Sequence, residues 1–67
     1  MLKSEDEVRK TLENIGRRLG KGESTAIEVS ENILEFAVNE AIKQKLSVVN
    51  AYEEEGFIVL VVERRHY

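Results

Sequence analysis

Phe57-Ile58-Val59-Leu60-Val61-Val62 is a run of six consecutive apolar residues near the end of a 67-residue chain. A strand with one wet face alternates apolar and polar residues. An unbroken apolar run instead reads as a strand buried on both faces, with a neighbour on each side. The run therefore predicts a central strand over residues 57–63. The remainder of the chain must supply two flanking strands and a layer to cover the sheet.

Two segments qualify as the flanking strands. Residues 24–29 alternate, with Thr25, Ile27 and Val29 on one face and Ala26 and Glu28 on the other. Residues 47–52 form the second, and Glu53-Glu54-Glu55-Gly56 is the hairpin tip that leads into the apolar run. Gly56 supplies the positive φ such a turn needs. The covering layer comes from two helices. Ser4 caps the first, with Glu7 placed to reach back to the cap amide. Val8, Leu12, Ile15 and Leu19 make its single narrow stripe, and Gly20 reads as its left-handed stop, so it spans residues 4–19. The second helix, residues 31–45, follows Ser30 as cap. Its apolar residues, from Ile33 to Ile42, cover well over half the wheel. An arc that wide predicts burial on two sides.

The order α-β-α-β-β gives an α+β fold in one domain over residues 1–67. It is a two-layer sandwich, with two helices on one face of a three-stranded mixed sheet and the C-terminal strand central. The crossover through the second helix suits a parallel relation between the first two strands. At this length about 60% of the unfolded surface is buried, which leaves a lone monomer marginal. A homodimer is the expected remedy, through the open sheet face, through an edge strand or through leftover apolar surface on the second helix.

The same order resembles the β-α-β-α-β-β architecture of SirA/TusA-like sulfur carriers, of Alba-type chromatin proteins and of the C-terminal domain of translation initiation factor three. The likeness rests on the leading helix, Gly22-Glu23 opening a strand, the Glu54-Glu55-Gly56 turn and a final apolar strand followed by Arg64. It implies a last strand lying inside the sheet. The first strand of that architecture is absent here, and so is the Cys-Pro pair that carries sulfur. Sulfur transfer is therefore not implied, which leaves a degenerate carrier as one functional alternative. Alba-type proteins contact nucleic acid through lysines early in the first helix and through a basic hairpin arm. This chain has Glu5-Asp6-Glu7 and Glu53-Glu54-Glu55 at those places. The absent strand also implies an open edge along Thr25, Ala26, Ile27, Glu28 and Val29. That edge is a candidate interface for a second copy or for a partner's extended segment.

Composition removes most chemistry. The chain has no cysteine and a single histidine, His66, one residue from the end. Disulfides, thiol catalysis and cysteine-ligated metals are excluded. The only Asp and the only His lie in opposite terminal segments, so no Ser-His-Asp set is proposed. The four glycines form neither a P-loop nor a dinucleotide fingerprint. Three adjacent acids on a hairpin tip do not converge as calcium ligands do. No catalytic residue, cofactor or metal is expected, and the chain is not read as an enzyme. No apolar run approaches the ~18 residues of a membrane span, and no signal peptide opens the chain, so a cytoplasmic protein without membrane contact is expected. The absence of proline and the wealth of Glu, Lys and Arg give a thermophile-like composition.

Charge is segregated. Residues 1–21 carry +2, residues 22–63 carry −7, and Arg64 and Arg65 add +2, for a net charge of −3. Arg17, Arg18, Lys21, Arg64 and Arg65 are the candidate anion or nucleic-acid contacts. The competing reading is a solvated helix face, with Glu5–Arg9, Asp6–Lys10 and Glu13–Arg17 as i,i+4 pairs. The function expected is a small non-catalytic binding or assembly module acting as a homodimer, with an Alba-like nucleic-acid binder of weak affinity as the first alternative.

Overall fold

The computed structural model describes residues 1–65. Helix α1 spans Glu5–Arg18, strand β1 Ser24–Val29, helix α2 Leu34–Lys43, strand β2 Ser47–Glu54 and strand β3 Phe57–Glu63. A single 3-10 turn, Glu31–Ile33, precedes α2. The expected element order and a small α+β fold are both present. Strand order is β1-β3-β2, with β3 antiparallel to each neighbour. The sheet is therefore antiparallel rather than mixed. The two strands that run parallel, β1 and β2, are separated by β3, because the hairpin returns the chain into the gap that the α2 crossover leaves. One parallel contact exists, a lone bridge between Leu2 and Val29 on the outer edge of β1.

Helix α1 starts where its sequence directs. The Glu7 amide donates to Ser4 Oγ at 3.2 Å, and the Ser4 amide donates to Glu7 Oε1 at 3.1 Å, a complete capping box. The Lys3 amide adds a 2.9 Å bond to the same carboxylate oxygen. The Lys3 and Ser4 amides together hold the Glu7 carboxyl below its ordinary value of 4.5. This contribution to the cap is present above that value and fades as pH falls through the lowered one. The other end differs from expectation. Leu19, the C-cap, is extended, and the positive φ falls at Gly22 (84°), not at Gly20. The Gly20 amide instead donates to Glu23 Oε1 at 2.6 Å.

The second helix is shorter than its apolar pattern predicts. Ser30 makes no capping bond, and its hydroxyl donates to Asn32 Oδ1. Backbone angles at Ile33 (φ −118°, ψ 17°) break the 3-10 turn from α2. The helix closes in a Schellman pattern: the Leu46 amide donates to Ala41 O and the Lys45 amide to Ile42 O, both at 2.9 Å. Lys45 takes the left-handed position, at φ 61°. Strand β2 runs on through Glu53 and Glu54, so the hairpin turn is only Glu55-Gly56. A bulge at Val49 shifts its register.

The core lies between the helices and one face of the sheet. Val8, Leu12 and Ile15 descend from α1, and Ala37 and Ala41 from α2. They meet Ile27 and Val29 of β1 and Ile58, Leu60 and Val62 of β3. Thr25, on the same face, is half-buried. The apolar run therefore alternates in burial after all: Phe57, Val59 and Val61, on the far face, are half-buried. Their shelter comes only from neighbours on that face. Within one chain, helix α2 is buried on its core side, while Ile42 is 62% exposed. The molecule exposes 4319 Å², close to the roughly 4,300 Å² typical of a monomer of its mass. Any case for self-association must rest on where the apolar surface lies rather than on its amount.

Two outcomes follow for stability. Leu60→Ala removes a side chain with 1% exposure and is expected to cost about 2–5 kcal/mol. Val61→Ala, on the far face, is expected to cost clearly less, and thermal melts of both variants check the difference. Lys45→Gly relieves the left-handed backbone and, measured on the dissociated chain at low concentration, is expected to raise stability by about 1 kcal/mol. That corresponds to a melting temperature roughly 4–8 °C higher.

Candidate interaction surfaces

Four surfaces hold the residues that bear on function. The first is the end of the molecule where α1 stops and β3 stops. Arg64 follows β3 directly, and its backbone continues the pairing with the β1 side: the Arg64 amide donates to Glu23 O at 3.0 Å, and Arg64 O accepts from the Gly22 amide at 2.6 Å. Its guanidinium is thereby delivered to the C-terminal turn of α1. Nε donates to Leu19 O at 3.0 Å, and a terminal nitrogen donates to Gly16 O. These are carbonyls that a helix end leaves without partners, at the negative pole of the helix dipole. Arg64 is thus the cap that Gly20 does not provide. Arg65 donates from Nε to Glu63 Oε2 at 3.2 Å.

The fold does bring the five predicted basic residues to one end, since Arg64 sits against the turn that carries Arg17 and Arg18 and precedes Lys21. Two of the five already have internal partners. The helix pairing also differs from the i,i+4 expectation. Among the described residues the ion pairs are Asp6–Arg9 at 2.8 Å and Glu63–Arg65, so Glu13 does not hold Arg17. Arg17 and Arg18 are exposed in the last turn.

The second surface is the outer edge of β1, predicted open from Thr25 to Val29. Backbone groups along an antiparallel strand alternate between its two neighbours. The Leu2 amide donates to Glu28 O at 2.8 Å, and the Ser30 amide donates to Leu2 O at 2.9 Å. Ala26 and Glu28 therefore face outward, while Thr25, Ile27 and Val29 turn their backbone to β3. The chain's own Leu2 covers the second half of the edge, which leaves Ala26 as the centre of the free part. The opposite edge, on β2, is guarded differently. The Ala51 amide donates to Asn50 Oδ1 at 2.9 Å, beside the Val49 bulge. Both features discourage strand addition.

The third surface is the far face of the sheet. Directly opposed residues share a face. The register places Ala26, Val61 and Asn50 in one row and Glu28, Val59 and Tyr52 in the next. Tyr52 is 46% exposed. The result is a narrow apolar strip with carboxylates among its neighbours. Glu53 and Glu54 point to opposite faces of β2, so the three acids of the predicted tip do not converge. Among the described residues, no three His, Cys, Asp or Glu side chains gather into a metal site. His66, the one histidine, lies outside the described residues.

The fourth surface is the leftover apolar side of the second helix, one of the places expected to receive a second copy. Leu34, Val38 and Ile42 are spaced four apart and form one row along α2. The two helices leave the inner side of β2 largely bare, with Ala51 and Glu53 exposed. A groove results between α2 and β2. Glu31, Leu34, Ala51 and Glu53 line one end, and Val38, Ile42, Lys45 and Val48 the other. The over-wide apolar arc of α2 was its signal in the sequence. The width of that arc predicts cover by the sheet on one side and by something else on the other.

No family model matches the chain, and neither a curated protein nor a solved structure matches it. No helix among the described residues is long and apolar enough to cross a membrane.

The reassigned role of Arg64 gives a direct check. Arg64→Ala strands two helix-end carbonyls and is expected to cost about 2 kcal/mol. Arg65→Ala removes an exposed pair and is expected to change stability by less than about 0.5 kcal/mol. Urea denaturation of the two variants measures both.

Proposed function

We propose that this chain is a small non-catalytic assembly module that acts as a homodimer. The observation that carries the reading is the apolar row of α2, in which Leu34 and Val38 are half-buried against the core and Ile42, at its end, is 62% exposed. Large apolar side chains held in line on a rigid helix are a common basis for association. The lack of cysteine, and the separation of the only Asp and the only His at opposite ends of the sequence, are what the non-catalytic part rests on. The strand order β1-β3-β2 is in keeping with a shortened SirA/TusA-like or Alba-type architecture.

A second reading draws on one specific observation. The fold gathers Arg17, Arg18, Lys21 and Arg65 at one end, with Arg17 lacking its expected acid partner. An Alba-like nucleic-acid contact would use that end, with Arg64 supporting the helix rather than touching phosphate. We rank it below assembly, because the net charge is −3 and weakens attraction to a polyanion.

Light scattering at micromolar concentration separates the readings from a simple monomer. The proposal predicts a mass of twice 7.7 kDa, and a mass of 7.7 kDa contradicts it. In the second reading, binding to duplex DNA falls steeply with salt. Replacing Arg17 and Arg18 with Ala then lowers the salt slope by up to about two units.

A further inference from the structure

The row on α2 has a property that selects its occupant: its charges are arranged about its own centre. Val38 is the middle residue. Leu34 and Ile42 lie four positions before and after it, and Glu31 and Lys45 lie seven positions before and after it. Glu31 lines the groove at the Leu34 end, and Lys45 lines it at the Ile42 end. Acid stands at one end, in the 3-10 turn before α2, and base at the other, just past the C-cap.

Such a surface is complementary to itself turned end for end. We propose, building on the homodimer reading, that α2 packs antiparallel on the α2 of a second copy, across a two-fold axis at Val38. Leu34 of each copy then meets Ile42 of the other. Glu31 of each copy meets Lys45 of the other, so both poles are neutralised twice. A two-fold axis makes every contact reciprocal and closes the assembly at two chains. The antiparallel arrangement also places opposite helix-dipole ends side by side. A parallel arrangement would set Glu31 against Glu31 and Lys45 against Lys45, and like charges facing each other are costly. The rest of the surface fits this choice. Pairing through β2 is discouraged by the Val49 bulge and by the Asn50 side chain on the Ala51 amide. Pairing through β1 is obstructed by Leu2 over its second half. The apolar strip on the far face of the sheet has Glu28 in the row with Val59 and Tyr52, whereas the charges flanking the helix row, Glu31 and Lys45, stand at its opposite ends.

The test uses the full chain in sedimentation equilibrium, with circular dichroism to verify folding. Wild type is expected at twice the chain mass, and Ile42→Glu at the chain mass with an unchanged spectrum. Ile42 is largely exposed, so its replacement spares the core. Lys45→Glu is expected to weaken the dimer at least tenfold, and Glu31→Lys added to it is expected to restore most of that loss. Tyr52→Ser, on the far face of the sheet, is expected to leave the dimer intact. In a sample mixing differently labelled copies, nuclear Overhauser contacts between Leu34 and Ile42 methyls across chains are expected, whatever the behaviour of the variants. A dimer that survives Ile42→Glu, or that lacks the cross-chain methyl contacts, overturns this interface while leaving the homodimer reading standing. A wild-type chain that stays monomeric overturns both.

Discussion

Everything in this fold depends on β3 having a strand on each side. Its backbone donors and acceptors are committed to β1 and β2, so none is left to water or to another chain. The strand is thereby fixed in both directions. Ile58, Leu60 and Val62 must face one way, and that side is where the helices are placed. The two helices then come from the only segments that lie outside the sheet. Their narrow and wide apolar arcs fit different positions: α1 needs cover on one stripe only, while α2 keeps an apolar row beyond the core.

Parts of this were legible because they depend on local pattern. The unbroken run from Phe57 to Val62 predicts the central strand, and the alternation from Ser24 to Val29 predicts β1 with both boundaries as observed. Ser4 and Glu7 predict the start of α1 through a bond pattern that closes within one turn. The features that escaped the sequence depend on contacts between distant residues. Arg64 reaches helix carbonyls more than forty positions away, and no local signal distinguishes it from Arg65. The Leu2 bridge to β1 is a single residue with no periodicity to betray it. Lys45 in a left-handed position runs against the residue preference for such sites, because the Schellman bonds and the burial of Leu46 outweigh the backbone cost. The far side of β3 was overestimated for a different reason. Six apolar residues state that both faces avoid water, and they do not say whether the cover comes from the same chain.

The candidate surfaces divide in the same way. Charge segregation identified a basic end, and the fold does assemble it, but one of its members is occupied in holding α1. The open edge expected beside β1 exists only in part. The row on α2 was present in the sequence as surplus apolar arc, and became a surface only once the sheet left the inner side of β2 bare. Assembly is thus read from apolar positions that the core covers only in part, not from any shortage of burial, since the exposed area is ordinary for this mass.

Amide hydrogen exchange tests the central position of β3 most directly. A strand paired on both sides protects every amide, whereas an edge strand protects alternate ones. The structure predicts slow exchange at each consecutive amide from Ile58 to Val62, with fast exchange at Ala26, whose amide faces outward from β1. Protection that alternates along residues 58–62 would place β3 at an edge and contradict the fold from which the rest of this account is built.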